Sequence, residues 1–195
     1  MTTCVAVNTD ALAHNVREAQ RHLQPTAKLM AVVKANAYGH GLVDTARVFL
    51  TAGAQWLGVS NVAEGVALRE AGVDAPVLVF MPPLPDEYEA IVRHRLTATL
   101  LSTAHVSGLG DTARKLGQSV YGHLYVDGGL GRIGADDPLC ALLQAATVFP
   151  PLHLTGAYTH FGPPGSGRML EEIDTLKQGA STKAFAGLVR DAVAQ

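Results

Sequence analysis

Lys28-Leu29-Met30-Ala31-Val32-Val33-Lys34-Ala35-Asn36-Ala37-Tyr38-Gly39-His40-Gly41 is the stretch from which the rest of the chain is read. An apolar run at residues 28–33 delivers Lys34 into a turn bounded by Gly39 and Gly41, and a helical pattern of Leu42, Ala46, Phe49 and Leu50 follows at once. Strand, turn and helix form the repeating unit of a parallel α/β protein, and such proteins put their chemistry where the strands end. Taken alone, a lysine there reads as a solvated residue. In a dry setting, desolvation favours the neutral amine, which condenses with an aldehyde, and the flexible stem lets it swing to a second atom. Tyr38 adds a hydroxyl nearby.

The same alternation runs outward in both directions. Strand-type runs at residues 4–8, 56–60, 77–80, 97–101, 120–126 and 152–158 are separated by helical patterns. Leu12, Val16, Ala19 and Leu23 form one stripe, with Thr9 or Asp10 able to cap its start. Another helix begins at Asn61, with Glu64 three residues on as in a capping box. A third carries Leu139, Leu142, Leu143 and Ala146 behind Pro138, where a first-turn proline is tolerated. This βα repeat demands a parallel sheet with right-handed crossovers; periodicity leaves an open sheet and a closed barrel both standing. Residues 162–182 turn to Gly, Pro, Ser and charge, a long loop with room for a short helix at 169–177, before an amphipathic stretch at 183–193.

Composition narrows the class of ligand. At 195 residues the chain equals one large domain or most of a (β/α)8 barrel, which takes about 250 residues. Its 48% hydrophobic and 16% charged content calls for strands buried on both faces. A net charge of -2 with interleaved signs offers nothing to nucleic acid or an anionic membrane, so a small molecule is expected. The start lacks the pattern of a secretory signal, and no stretch approaches the ~20 apolar residues of a membrane span, which predicts a cytoplasmic protein. Cys4 and Cys140 lack metal-ligand companions and read as reduced, partly buried thiols, with no metal site.

Two further segments end strand-type runs in polar residues. In Val126-Asp127-Gly128-Gly129-Leu130-Gly131-Arg132-Ile133-Gly134, the glycines permit a tight fold that brings a guanidinium fork to the sheet mouth, where it can grip a carboxylate. Gly156-Ala157-Tyr158-Thr159-His160-Phe161 places a histidine at a strand end, a position more often filled by a structural imidazole. A rival reading, a phosphate-binding loop at Gly162-Pro163-Pro164-Gly165-Ser166-Gly167-Arg168-Met169, fails because Arg168 and Met169 stand where Lys and Ser or Thr are required.

The Lys34 segment closely resembles the pyridoxal 5'-phosphate attachment motif of alanine racemases, and the other two match that family in the same order, so the resemblance covers residues 4 to 161. It implies a TIM-type (β/α)8 barrel in which Lys34 carries the cofactor covalently and Tyr38 bonds its phosphate. It further implies that Arg132 engages the substrate carboxylate and the cofactor's phenolic oxygen, and that His160 lies against the pyridine ring. One departure stands out: many members carry a lysine, often carbamylated, that orients this arginine, and here the position holds Tyr125. Pyridoxal-phosphate homeostasis proteins and barrel decarboxylases share the strand-end lysine but not the Asn-Ala-Tyr-Gly-His-Gly continuation.

The implied activity is interconversion of L- and D-alanine, supplying D-alanine for peptidoglycan, by removing the α-proton on one face and returning it on the other. Lys34 would be one base. The other, in the family, is a tyrosine from a C-terminal β-domain of the partner subunit in a homodimer. Residues 1–195 are therefore expected to form an N-terminal barrel domain, incomplete at its C-terminus and lacking that β-domain, a phosphate-binding serine strand and an arginine at the pyridine nitrogen. With residues 4–8 assigned to the absent domain, six barrel strands remain with apolar edges, which predicts a need for a partner or complementing C-terminal chain. The isolated chain is expected to be inactive or very weak; a catalytically dead cofactor-binding fragment and a racemase of serine or a basic amino acid are the alternatives.

Overall fold

The computed structural model describes residues 4–127, 133, 137 and 139–160, and the chain divides into two compact units, Met1–Met81 and Pro82–Gln195. Each unit contributes three parallel strands with helices between them, so the α/β alternation expected from the sequence is present in both. The predicted loop and helix at 162–182 and the amphipathic stretch at 183–193 lie outside the described residues.

The first unit opens with helix α1 (Thr9–Arg21), which is capped by Asn8 rather than by Thr9 or Asp10. Asn8 is in extended conformation and its side-chain oxygen accepts from the Ala11 amide at 2.9 Å, so it relieves one of the first-turn donors before the helix begins. Residues 4–8, expected to be a strand, form none: they are exposed, Val5 to 81%, and nothing in the described sheet pairs with them. Cys4 is likewise exposed, not partly buried. Of the predicted stripe on α1 only Val16 is buried; Leu12 is half-buried, and Ala19 and Leu23 are exposed. The helix is tied instead by a polar contact, Gln20 Nε2 donating to the Gly53 carbonyl at 2.7 Å.

Strands β1 (Met30–Val32), β2 (Trp56–Val59) and β3 (Val77–Val79) run parallel in that order, with Ala31 opposite Leu57 and Gly58 opposite Leu78. Leu57, Val59, Val77, Leu78 and Val79 are buried, which explains why these runs are continuous in apolar residues rather than alternating. Between strands lie a short turn of helix, α2 (Lys34–Tyr38), then α3 (Leu42–Thr51) and α4 (Val62–Glu70). Gly58 leaves room for the Phe80 ring, which would have to move if a Cβ were added there. Arg69, at the end of α4, donates to the carbonyls of Val73 and Ala75 at 2.7 and 2.8 Å and so fixes the loop into β3.

In the second unit a 3-10 turn (Pro85–Glu87) leads into α5 (Tyr88–Arg93), then β4 (Thr97–Leu100), α6 (Thr103–Leu116), β5 (Val120–Tyr125), α7 (Leu139–Thr147) and β6 (Leu152–Tyr158). Strands β4, β5 and β6 are parallel neighbours in that order, over a core that includes Leu100, Val106, Leu109, Leu124 and Leu142. α6 is capped by Ser102 and ends at Gly117 in the left-handed region, φ 63°. The β5–β6 register shifts between Gly122 and His123, and Gly156 lies against the His123 ring, where a Cβ would meet Nε2 at 2.8 Å.

Burial pushes the His123 imidazole down to about 4 from 6.5. The folded protein thus keeps His123 neutral while the unfolded chain takes up its proton first, so stability is full above about pH 6.5 and is lost as pH falls toward 4. Denaturant titrations at pH 7 and pH 5 should show a loss of about 2 kcal/mol that His123→Gln lacks, on top of a carboxylate contribution common to both. Equal pH slopes for the two proteins would contradict the burial of this ring.

Candidate functional site

The Lys34 turn is left-handed. Ala35, Asn36, Ala37 and Tyr38 have φ of 52°, 55°, 52° and 54°, followed by Gly39 at 90° and Gly41 at 96°. For L-residues this hand costs about 1–2 kcal/mol per residue through the clash of Cβ with the next carbonyl. The sequence softens the cost with small side chains at 35 and 37 and an asparagine, which tolerates this region, at 36. The closing bonds are local: Ala37 N–H to the Val33 carbonyl at 2.8 Å, and the amides of Gly39 and Gly41 to the Asn36 carbonyl at 3.1 and 3.0 Å.

Three side chains brace the turn. Asn36 Oδ1 accepts from the Leu42 amide at 2.9 Å and so caps α3, whose own N-cap Gly41 has no side chain to do it. His40 Nδ1 donates to the Ala37 carbonyl at 2.8 Å, which fixes the proton on that nitrogen. Glu64 on α4 does more than the predicted capping box. Its carboxylate does not close on Asn61; Oε2 accepts from the Ser60 amide at 2.7 Å and Oε1 from the Ala35 amide at 2.6 Å. Asn61 meanwhile caps α4 through the Glu64 amide at 2.9 Å. A glutamate at the third position of a helix was the visible signal, but its long-range partner at Ala35 was not.

Lys34 itself is half-buried at the end of β1, its backbone held between Val33, whose amide donates to the Gly58 carbonyl at 2.8 Å, and the clamped Ala35 amide. Tyr38 lies one helical turn on and is 62% exposed, so these two predicted site residues come from one turn of the first unit.

His160 belongs to the second unit, exposed just beyond β6. Beside it the Thr159 hydroxyl is buried, and among the described residues no hydrogen-bond partner reaches it. Tyr125, at the position where the resemblance leads one to expect a lysine, is buried edge-on to Tyr158, ring centroids 5.1 Å apart, directly opposite it in the β5–β6 register. The Tyr158 hydroxyl shares a 2.7 Å hydrogen bond with Thr99 Oγ1, and burial pushes this phenol up to about 12. The ends of β4, β5 and β6 thus hold a neutral hydroxyl cluster. Arg132 lies outside the described residues. Asp137 accepts from the Thr103 amide and hydroxyl at 2.7 and 2.8 Å, bonds that hold its carboxyl below the usual carboxylate range. Among the described residues no helix is long and apolar enough to cross a membrane.

Residues 7–193 match the family model described as alanine racemase, N-terminal domain. The chain belongs to this family. An alanine racemase of Synechocystis sp. is 39% identical over 189 residues, which cover 94% of this chain and 50% of the relative. The alanine racemase of Bacillus anthracis, solved with bound L-Ala-P, superposes with a TM-score of 0.84 at 29% identity over 94% of this chain and 48% of that one. A histidine racemase from Leuconostoc mesenteroides reaches a TM-score of 0.78 at 27% identity, over 87% of this chain and 46% of its own. The chain thus spans about half the length of the racemases it matches, and its α/β fold is the corresponding part of their barrel.

The hand of the turn generates a test with a definite sign. Ala35 is exposed, so replacing it by glycine removes a left-handed Cβ and nothing else. Ala35→Gly should stabilise by about 0.5–1 kcal/mol in equilibrium denaturation, relief of strain outweighing the added freedom of the unfolded chain. A loss of the size glycine causes in an ordinary helix would show that the turn is right-handed.

Proposed function

We propose that residues 1–195 are the cofactor-holding N-terminal domain of an alanine racemase, with pyridoxal 5'-phosphate carried on Lys34. The observation that supports this most is the braced turn, which fixes a lysine backbone at a strand end while nothing among the described residues bonds its amine, in a chain belonging to the racemase family. The residue types of the first unit fit such a group, since a primary amine and an exposed phenol share one turn.

The chemistry supplied by the cofactor, when bound, is an electron sink that lets an amino acid lose its α-proton. Lys34 would hold the cofactor through Nζ, and the same amine would serve as the base for the substrate α-proton on one face. By the family resemblance, Tyr38 would donate from its hydroxyl to the phosphate, Arg132 would engage the substrate carboxylate, and His160 would contact the cofactor. Tyr125 supports a site that does not rely on a carbamylated lysine.

The opposite-face base belongs, on this reading, to sequence beyond this domain, either in a homodimer of the longer protein or in a complementing chain. Alanine is the substrate favoured by the relatives' names, and the product D-alanine would serve peptidoglycan synthesis in the cytoplasm. A racemase of another amino acid is the second reading, favoured by the likeness to the histidine racemase.

Adding pyridoxal phosphate to the purified chain should produce a new absorption band near the visible edge that Lys34→Ala abolishes. The chain alone should exchange the α-proton of L-alanine in deuterated water very slowly or not at all, measured by NMR. An absorption spectrum identical for both proteins would remove the cofactor assignment, and brisk racemisation by these 195 residues would refute the need for a second base from elsewhere.

A further inference from the structure

We infer that Glu64 is a positioning residue for Lys34, acting through the backbone of the turn rather than by touching cofactor or substrate. The inference rests on the proposed role of Lys34 and adds the residue that makes its placement definite.

A lysine stem has four rotatable carbons, so the location of its amine depends first on where its backbone is fixed. On one side of Lys34 the fixing is part of the sheet, since Val33 is fully buried and donates to the Gly58 carbonyl at 2.8 Å. On the other side the chain leaves the sheet for a strained left-handed turn, and the first amide there, Ala35, is held by Glu64 at 2.6 Å across 29 residues of sequence. The second oxygen of the same carboxylate takes the Ser60 amide, at the end of the neighbouring β2, at 2.7 Å. One side chain therefore spans two adjacent strand ends from a rigid helix. Both bonds are short and charge-assisted, a kind roughly twice as strong as a neutral pair.

The surroundings of the two bonds separate positioning from stability. Ala35 is exposed and Ser60 half-buried, so water can replace the carboxylate at Ala35 if Glu64 is removed. The core beneath, Val33, Leu57 and Val59, contains no part of Glu64. The loss should therefore loosen the turn without unfolding the unit, and the amine would lose its preferred location while remaining present.

The test compares wild type, Glu64→Ala and Glu64→Gln by brief exposure to pyridoxal phosphate, borohydride trapping and peptide-resolved mass spectrometry. Lys28 and Lys115, neither of them buried, serve as internal controls. Wild type should label Lys34 in preference to both controls. Glu64→Ala should lower the Lys34-to-control ratio at least tenfold with an unchanged circular dichroism spectrum. Glu64→Gln, whose carbonyl oxygen can still accept one amide, should recover part of it. Equal Lys34 preference in wild type and Glu64→Ala would overturn the inference and leave the cofactor reading standing. Absence of preference in wild type would overturn the cofactor reading and this inference with it. Should Glu64→Ala lose its fold, Glu64→Gln decides: a partial loss of preference supports the clamp, and full wild-type preference overturns it.

Discussion

A left-handed helical turn made of ordinary L-residues persists only where contacts outside it outweigh its local cost. Residues 35–38 are such a turn, and four residues at about 1–2 kcal/mol each amount to a strain on the scale of a whole domain's net stability. Contacts among these four residues do not supply that energy. It comes from bonds that reach outside them: to the buried end of β1, from the Asn36 side chain to the first turn of α3, and from Glu64 on α4. The sheet, two helices and one carboxylate together hold a conformation that none of them would hold singly, and Lys34 stands at its root. Strain concentrated at one point and over-determined by its surroundings is the usual mark of a functional position.

The second unit shows a related economy at its strand ends. Where the family resemblance leads one to expect a lysine, Tyr125 lies against Tyr158, and Thr99 completes the set of hydroxyls. A buried charge there would need a charged partner to offset its desolvation, whereas a neutral phenol such as Tyr158 needs only a hydrogen bond, which Thr99 supplies. The cluster is therefore a different solution to filling that space, and it follows directly from the residue types. Asp137 repeats the logic of Glu64, with a carboxylate outside the helix taking the first amide of α6.

Much of the fold was legible because buried parallel strands declare themselves as uninterrupted apolar runs. The run at 152–158 is β6 to the residue, and those at 56, 77, 97 and 120 start where strands start and extend one residue past their ends. The run at 4–8 looked the same but has no neighbour to pair with among the described residues, and pairing rather than composition makes a strand. The turn after Lys34 was legible as a turn from Gly39 and Gly41; its hand was not, because the residue that helps to fix it lies 29 positions away. For the same reason Glu64 looked like a local cap. Local patterns cannot distinguish a carboxylate that serves its own helix from one that serves a distant strand. Of the site residues, Lys34 and Tyr38 fall on one turn as the motif spacing requires.

The central claim is that this braced turn exists to present Lys34 to pyridoxal phosphate. A crystal structure of the wild-type chain grown with the cofactor tests it most directly. The account predicts continuous density from Lys34 Nζ to the cofactor, with residues 35–38 still at positive φ and the Glu64 carboxylate on the Ala35 and Ser60 amides. Density joined to any other lysine, or a turn that has relaxed to the right-handed form, would contradict it.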